Sequence, residues 1–375
     1  MYPNPSWASQ ITVPTGYLTP WNLYEYYGFN LLPDTPANNG YGQKIAIIGV
    51  YGAPNLQSDL DTFCANMKIP STTVSIYYPF GTVNFNSYNT YTTPSSASVN
   101  QWAYEASVDV QYAHAMALSA TIVYVVSPDL SDNNVYGCVQ YAVNTLSANI
   151  VAMSVSIGEA GRYYLPSNSY SDANVFNNKA AQYISASGDY GSLLSYPGIS
   201  PNVLSVGGTT LSGGNSSYYG GAPGPYEEVA WGTVAGASGG GGGQSNVNPK
   251  PSYQVGISPF PNRATPDVAY NAGGYVQVYF TSYYTGISNW VPANGTSCGV
   301  PQWAAIAAIR NANGKGSLGR KSINEDIYAL ASQNYSIMFN NITRGSNGYA
   351  AGPGYDLATG LGSPKVNGLV LSGTN

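Results

Sequence analysis

The sequence predicts an α/β fold, a mostly parallel central sheet flanked by helices. Three observations lead there. Short β-branched runs alternate with helical patterns through the first half of the chain. The longest apolar stretches, such as Ile45–Val50 and Thr121–Val126, have the length of strands buried on both faces, the pattern of a parallel sheet covered by helices. Apolar residues make up 43% of the 375, enough to bury a sizeable core.

The elements follow in order. Lys44–Val50 reads as a strand and leads into a helix around Leu56–Met67. A helix over Val99–Leu118 precedes a strand at Thr121–Ser127. A helix near Asn134–Ala148 precedes a strand at Ile150–Ile157, and one near Asp172–Gln182 precedes Tyr183–Gly188. Val203–Thr209 is a further strand. Leu211–Ser245 reads as loop and contains the run Gly239–Gly243, either a flexible linker or a backbone that must approach something closely. A last helix begins near Ser297 and ends before Gly314, and Asn340–Pro364 is a glycine-rich loop region.

Composition excludes several function classes. Charged residues are only 8%, with 12 Lys+Arg against 17 Asp+Glu, so there is no basic footprint for nucleic acid. No run approaches the roughly 18 apolar residues of a membrane span. In place of charge stand 35 Tyr, 44 Gly and much Ser, Thr and Asn. Those side chains hold their protonation state from strong acid to neutrality, which suits an acidic, extracellular setting. Three cysteines, Cys64, Cys138 and Cys298, allow at most one disulfide. No signal peptide is visible at Met1, where Tyr2–Tyr17 is polar and Pro-rich, so a secreted chain would have lost its leader.

The chemistry must work around a single histidine, His114. Glu105 and Asp109 are four apart and share a helix face, amid alanines that make the helix look buried. His114 lies about 180° round that helix from Glu105 and about 140° from Asp109, so it cannot join them and reads as a packed or surface residue. Asn294–Pro301 delivers Ser297 to a helix start, where free N–H groups can stabilise an oxyanion, although an ordinary N-cap fits equally well. Asp189, in Ser185–Gly191, sits just past a strand's C-terminal end, where parallel sheets place ligands; an Asx turn is the plain alternative.

Taken in order, these segments resemble the sedolisin family of serine-carboxyl peptidases. The similarity starts at Tyr17–Tyr27 and Lys44–Gly52 and includes Glu105-Ala-Ser-Val-Asp109, Ser187-Gly-Asp-Tyr-Gly191, Tyr196-Pro197 and Val206-Gly-Gly-Thr209. It continues through Ser238–Ser245, Arg263, Pro266-Asp-Val268, Gly295-Thr-Ser297 with Pro301, and Gly352-Pro-Gly-Tyr-Asp356 through Gly362. The resemblance implies a subtilisin-like fold, residues 1–375 forming one catalytic domain without its pro-domain, and a secreted monomer acting on polypeptides after its own pro-domain is removed. Ser297 would be the nucleophile, Glu105 its general base, Asp109 the partner orienting Glu105, and Asp189 the oxyanion-hole acid. A carboxylate base near its ordinary pKa, with Asp189 protonated, implies activity in acid that fades towards neutrality. Ser156, Ile157 and Gly158 would offer an extended edge to substrate backbone.

The resemblance also implies one structural Ca²⁺, held by Asn341, the carbonyls of Ile342, Gly352 and Gly354, and Asp356. Asn341 departs from the family's usual Asp and leaves one formal charge in the cage, predicting a weaker but more acid-tolerant site. The composition fits a thermoacidophile. Some relatives carry a Glu on the first strand and a Trp on the cleft strand; Gly49 and Ile157 stand there instead. An inactive homologue acting as a surface or binding protein would leave the four site residues without purpose. A Cys298 hydrolase lacks a base, and a glycosidase on Glu105 and Asp189 leaves Ser297 unexplained.

Overall fold

The structure, a computed structural model, describes residues 16–89, 91–92, 94–158, 172–214, 224–234, 236–316, 319 and 321–372. Eight strands make the central sheet: β1 (Lys44–Val50), β2 (Ser75–Tyr77), β3 (Thr121–Ser127), β4 (Ile150–Met153), β5 (Gln182–Ala186), β6 (Val203–Gly214), β7 (Gly224–Ala230) and β8 (Val268–Asn271). The spatial order is β8-β6-β5-β4-β1-β3-β2, parallel throughout, with β7 antiparallel to β6. This is the expected subtilisin-like α/β architecture.

Strand periodicity sorts the core into two layers. Ile45, Ile47, Tyr124, Val126, Ile150 and Ala152 face one side of the sheet. Ala46, Ile48, Val123, Val125, Val151 and Met153 face the other. After the short α1 (Pro20–Tyr26), helices α2 (Leu56–Met67), α3 (Ser96–Met116) and α5 (Gly299–Ala312) cover the first face, and α4 (Asp132–Asn144) the second. Helix α3 starts where Ser95 accepts the Ser98 amide at 3.2 Å, and its small alanines let it lie deep between sheet and neighbours.

Several local readings need correction. The helix near Asp172–Gln182 is only Asp172–Val175, because Asn178 folds into an Asx turn that accepts the Ala180 amide at 2.9 Å. The strand read as Ile150–Ile157 breaks after Met153 and resumes as Ile157–Gly158. Leu211–Ser245 is not simply loop: β6 runs to Gly214, and β7 pairs back on it from Gly224. Two helices follow the one read as last, α6 (Ile323–Met338) and α7 (Val366–Leu371). The Ser322/Glu325 capping box was the legible signal for α6.

The glycine run is a packing device and not a linker. Gly191 N–H donates to the Gly239 carbonyl at 2.9 Å, Gly239 N–H to the Asp189 carbonyl at 3.1 Å, and Gly241 N–H to the Gly188 carbonyl at 2.7 Å. A Cβ at Gly241 would collide with the Ser187 carbonyl, and one at Gly242 with that of Leu357. Gly241→Ala therefore forces the Asp189 loop outward. The expected result is a loss of about 2 kcal/mol or more in urea unfolding, the range for core overpacking.

Candidate active site

The carboxyl ends of the parallel strands and the start of α5 converge on one place. Beyond β4 come Ser154 and Ser156; beyond β5 comes Asp189; Thr296 and Ser297 lie in a 3-10 turn that runs into α5. These residues line a cleft of about 180 Å³ together with Tyr190, Leu193 and Leu194. Helix α3 supplies Glu105 and Asp109 from alongside.

Ser297 is half-buried beside Glu105, and its hydroxyl interacts with that carboxylate. Burial raises the Glu105 pKa above the usual carboxylate range; the Ser297 and Ser154 hydroxyls pull it down, while Asp189 raises it further. The ordinary value near 4 expected for this base does not hold, because one face of a buried helix gives the carboxylate too little water. Glu105 Oε1 is shielded and has no hydrogen-bond partner. Asp109 is buried, and its pKa is raised by that burial and by Glu105.

Ser154 bonds one of the pair, a role the sequence reading missed. Its hydroxyl donates to Asp109 Oδ1 at 2.8 Å and also pulls the Glu105 pKa down, which sets it beside the pair. Tyr190, Leu193 and Leu194 were missed too; a strand's C-terminal end was the signal for Ser154, and only the cleft reveals the others.

Asp189 is asymmetric. Oδ1 accepts the Thr296 amide at 2.8 Å and the Thr296 hydroxyl at 2.8 Å. A Cβ at Gly295 would lie 2.9 Å from Oδ2, so this position, with φ of 125°, needs glycine. Burial raises the Asp189 pKa and Thr296 opposes it. With Oδ1 committed as acceptor, Oδ2 is the oxygen free to carry a proton.

The neighbouring groups have structural explanations. His114 is buried, its Nε2–H donates to the Pro70 carbonyl at 2.7 Å, and burial lowers its pKa. Cys298 is buried and its thiol pKa is raised well above the usual value, chiefly by burial and then by Glu105, so it stays a thiol. Cys64 and Cys138 are likewise buried and free. Ile157–Gly158 pair antiparallel with Ser195–Tyr196, which takes one edge of that short strand, while Ser156 is exposed in the cleft.

The tail loop joins four of its five predicted ligands in two pairs, Asn341 with Gly354 and Gly352 with Asp356. Asn341 Oδ1 accepts the Gly354 amide at 3.1 Å, and Asp356 Oδ2 accepts the Gly352 amide at 2.9 Å. Asp356 Oδ1 takes the Ala358 and Thr359 amides, each at 2.8 Å. Nothing lies within 4 Å of a Cβ placed on Gly352 or Gly354, so there is open space beside the loop. Among the described residues no three His, Cys, Asp or Glu side chains cluster as a metal site.

Fold and site together define a class: a subtilisin-like scaffold with a serine set among carboxyls, and no imidazole within reach. The chain is 29% identical to kumamolisin from Bacillus sp. (strain MN-32) over 95% of its length, and 28% identical to sedolisin from Pseudomonas sp. (strain 101) over 59%. It spans 63% of the length of kumamolisin and 35% of that of sedolisin. The solved structure of Pseudomonas sedolisin, a serine-carboxyl proteinase, superposes with a TM-score of 0.74 at 21% identity, covering 96% of this chain and 98% of that one. No family model matches. The resemblance to the sedolisin family is thus borne out across nearly the whole chain.

Proposed function

We propose that the chain is a secreted serine-carboxyl peptidase that cleaves polypeptides through an acyl-enzyme on Ser297. The observation that carries this reading is one cleft lined by Ser154, Asp189 and Ser297, in which the Ser297 hydroxyl also pulls down the pKa of the neighbouring Glu105. Ser297 Oγ attacks the peptide carbonyl and its proton passes to Glu105. The oxyanion is held by the Ser297 amide, in a first helical turn where amides lack partners, and by the proton on Asp189 Oδ2. Glu105 returns its proton to the leaving amine. Water then splits the ester with Glu105 again as base. Ser154 and Asp109 hold Glu105 in place. Leu193, Leu194 and Tyr190 favour an apolar substrate side chain, and Ser156 with the Ile157–Gly158 edge takes substrate backbone.

The pH range follows from two ionisations of opposite demand. Activity falls in strong acid as the Glu105–Asp109 couple takes up its second proton and no base is left, and falls towards neutrality and above as Asp189 ionises. Digestion of an unfolded protein from pH 2 to 8 should show a bell on the acid side. A neutral or alkaline optimum, or no cleavage at any pH, would sink the reading. The pro-domain as maturation partner is part of the same proposal.

Asn341, the carbonyls of Ile342, Gly352 and Gly354, and Asp356 are all hard oxygens in one loop and suit Ca²⁺ in kind. Bound there, the ion would brace the loop, and Asn341 and Asp356 would exchange their amide hydrogen bonds for it. With one carboxylate the affinity should be low. Millimolar Ca²⁺ against a chelator should raise the melting temperature by a few degrees, and Asn341→Asp should reach that shift at lower Ca²⁺. An unchanged melting temperature in both would exclude the site.

A further inference from the structure

The hairpin formed by Val276–Thr281 and Ser288–Ala293 leads directly into the site, with only Asn294, Gly295 and Thr296 between it and Ser297. It packs against α3, the helix that carries Glu105 and Asp109. At one end of its first strand the Leu18 carbonyl accepts the Gln277 amide at 2.9 Å. Further along that edge the partners are side chains. The Tyr112 hydroxyl donates to the Gln277 carbonyl at 2.9 Å, and Asp59 of α2 accepts the Thr281 amide at 2.9 Å. Between them Gln111 acts as a strand residue would. Its Nε2 donates to the Tyr279 carbonyl at 2.7 Å, and its Oε1 accepts the Tyr279 amide at 3.1 Å. Gln111 is buried, and both halves of its amide are spent on this one residue.

Tyr104 takes the opposite edge. Since Tyr279 turns both backbone groups outward, its pair with Trp290 and the Gln277–Pro292 pair are the non-hydrogen-bonded ones, and the Pro292 carbonyl points out of the second strand. The Tyr104 hydroxyl donates to it at 2.9 Å. Tyr104 and Gln111 stand one above the other, two turns apart on α3, so the helix grips the ribbon by both edges. We propose that Gln111 and Tyr104 are positioning residues: by fixing the hairpin on α3 they set the distance of Ser297 from Glu105. A slip of one residue along α3 would move the helix by about 1.5 Å, and a misplacement of about 1 Å can cost about 10²-fold in rate. Asp189 holds the same segment from the sheet side, through Thr296. The joint keeps its charge state where the catalytic carboxyls titrate, because neither an amide nor a phenol ionises between strong acid and neutrality. The titratable groups along the Gln111 edge are Asp59, Tyr112 and Tyr279, while Glu105 and Asp109 lie about 120° and 160° round α3 from Gln111.

This inference rests on the peptidase reading. Gln111→Met fills a similar volume and takes both side-chain bonds from Tyr279. Expected is a fall in kcat of about 10- to 10²-fold with KM unchanged, since Gln111 does not line the cleft. Gln111→Glu is the rescue. At about pH 3 its carboxyl is protonated and offers one donor and one acceptor, as the amide does, so kcat should return close to the wild-type value. A wild-type kcat in Gln111→Met would overturn the proposal, and so would Gln111→Glu as slow at about pH 3 as Gln111→Met. Tyr104→Phe removes one half-exposed hydroxyl and should lower kcat about threefold. If Gln111→Met does not fold, a wild-type kcat in Tyr104→Phe overturns the proposal by itself. Hydrogen exchange needs no turnover: the amides of Asn294–Ser297 should exchange faster in Gln111→Met than in the wild type. If the wild type shows no Ser297-dependent cleavage, the peptidase reading fails separately, and unchanged exchange then disposes of the joint as well.

Discussion

Replacing Ser297 with alanine should remove peptide cleavage by about 10⁴-fold or more, leaving only what the oxyanion donors and substrate binding supply. The substitution deletes one half-buried hydroxyl in a cleft, so the melting temperature should move by no more than a degree or two. The loss should fall on kcat, since Leu193 and Leu194 still receive substrate. A second reading comes with it: wild type should form an ester-linked acyl species trappable in acid, and the variant should not. Activity retained in Ser297→Ala would hand the chemistry to another group. His114 is tied to Pro70 and Cys298 is a buried thiol of high pKa, so neither is placed to take over.

Asp189 should give the second-largest effect, and it has a sign. Asp189→Ala removes a donor to the oxyanion and should cost about 10²- to 10³-fold in kcat. Asp189→Asn should behave differently. Its carbonyl can take over the Thr296 hydrogen bonds now made to Oδ1, which turns its NH₂ to the place of Oδ2. An amide donates at every pH. In the wild type the folded-state pKa of Asp189 is raised by burial, so the donor is present at low pH and is lost as pH rises through that value. In the amide variant that loss vanishes. The high-pH limb should therefore flatten and activity extend towards neutrality, while the acid limb, set by Glu105 and Asp109, stays. Parallel pH profiles of wild type and both variants decide it, and an Asn variant with an unchanged high-pH limb would remove Asp189 from the oxyanion role.

The carboxylate pair was legible because a helix repeats every 3.6 residues: Glu105 and Asp109 four apart must share a face wherever that helix goes. The parallel sheet was legible because strands buried on both sides read as unbroken apolar runs such as Ile45–Val50. Ser154 was not. A serine after a strand is common, and only the arrival of α3 above the end of β4 gives it Asp109 to bond beside Glu105.

The glycine run shows how far composition reaches. Gly239–Gly243 is compatible with a free linker and with tight packing, since both need a backbone without Cβ atoms. Its hydrogen bonds to the Asp189 loop decide between them.

By itself, then, the sequence determined the parallel-sheet fold class, the lack of a histidine on the Glu105–Asp109 face and the four side chains proposed to act in its place, because those depend on residue type and local period. The tertiary structure alone decided their ionisation. How much water reaches Glu105, Asp109 and Asp189 is a property of what packs over them, and desolvation is the largest influence on all three.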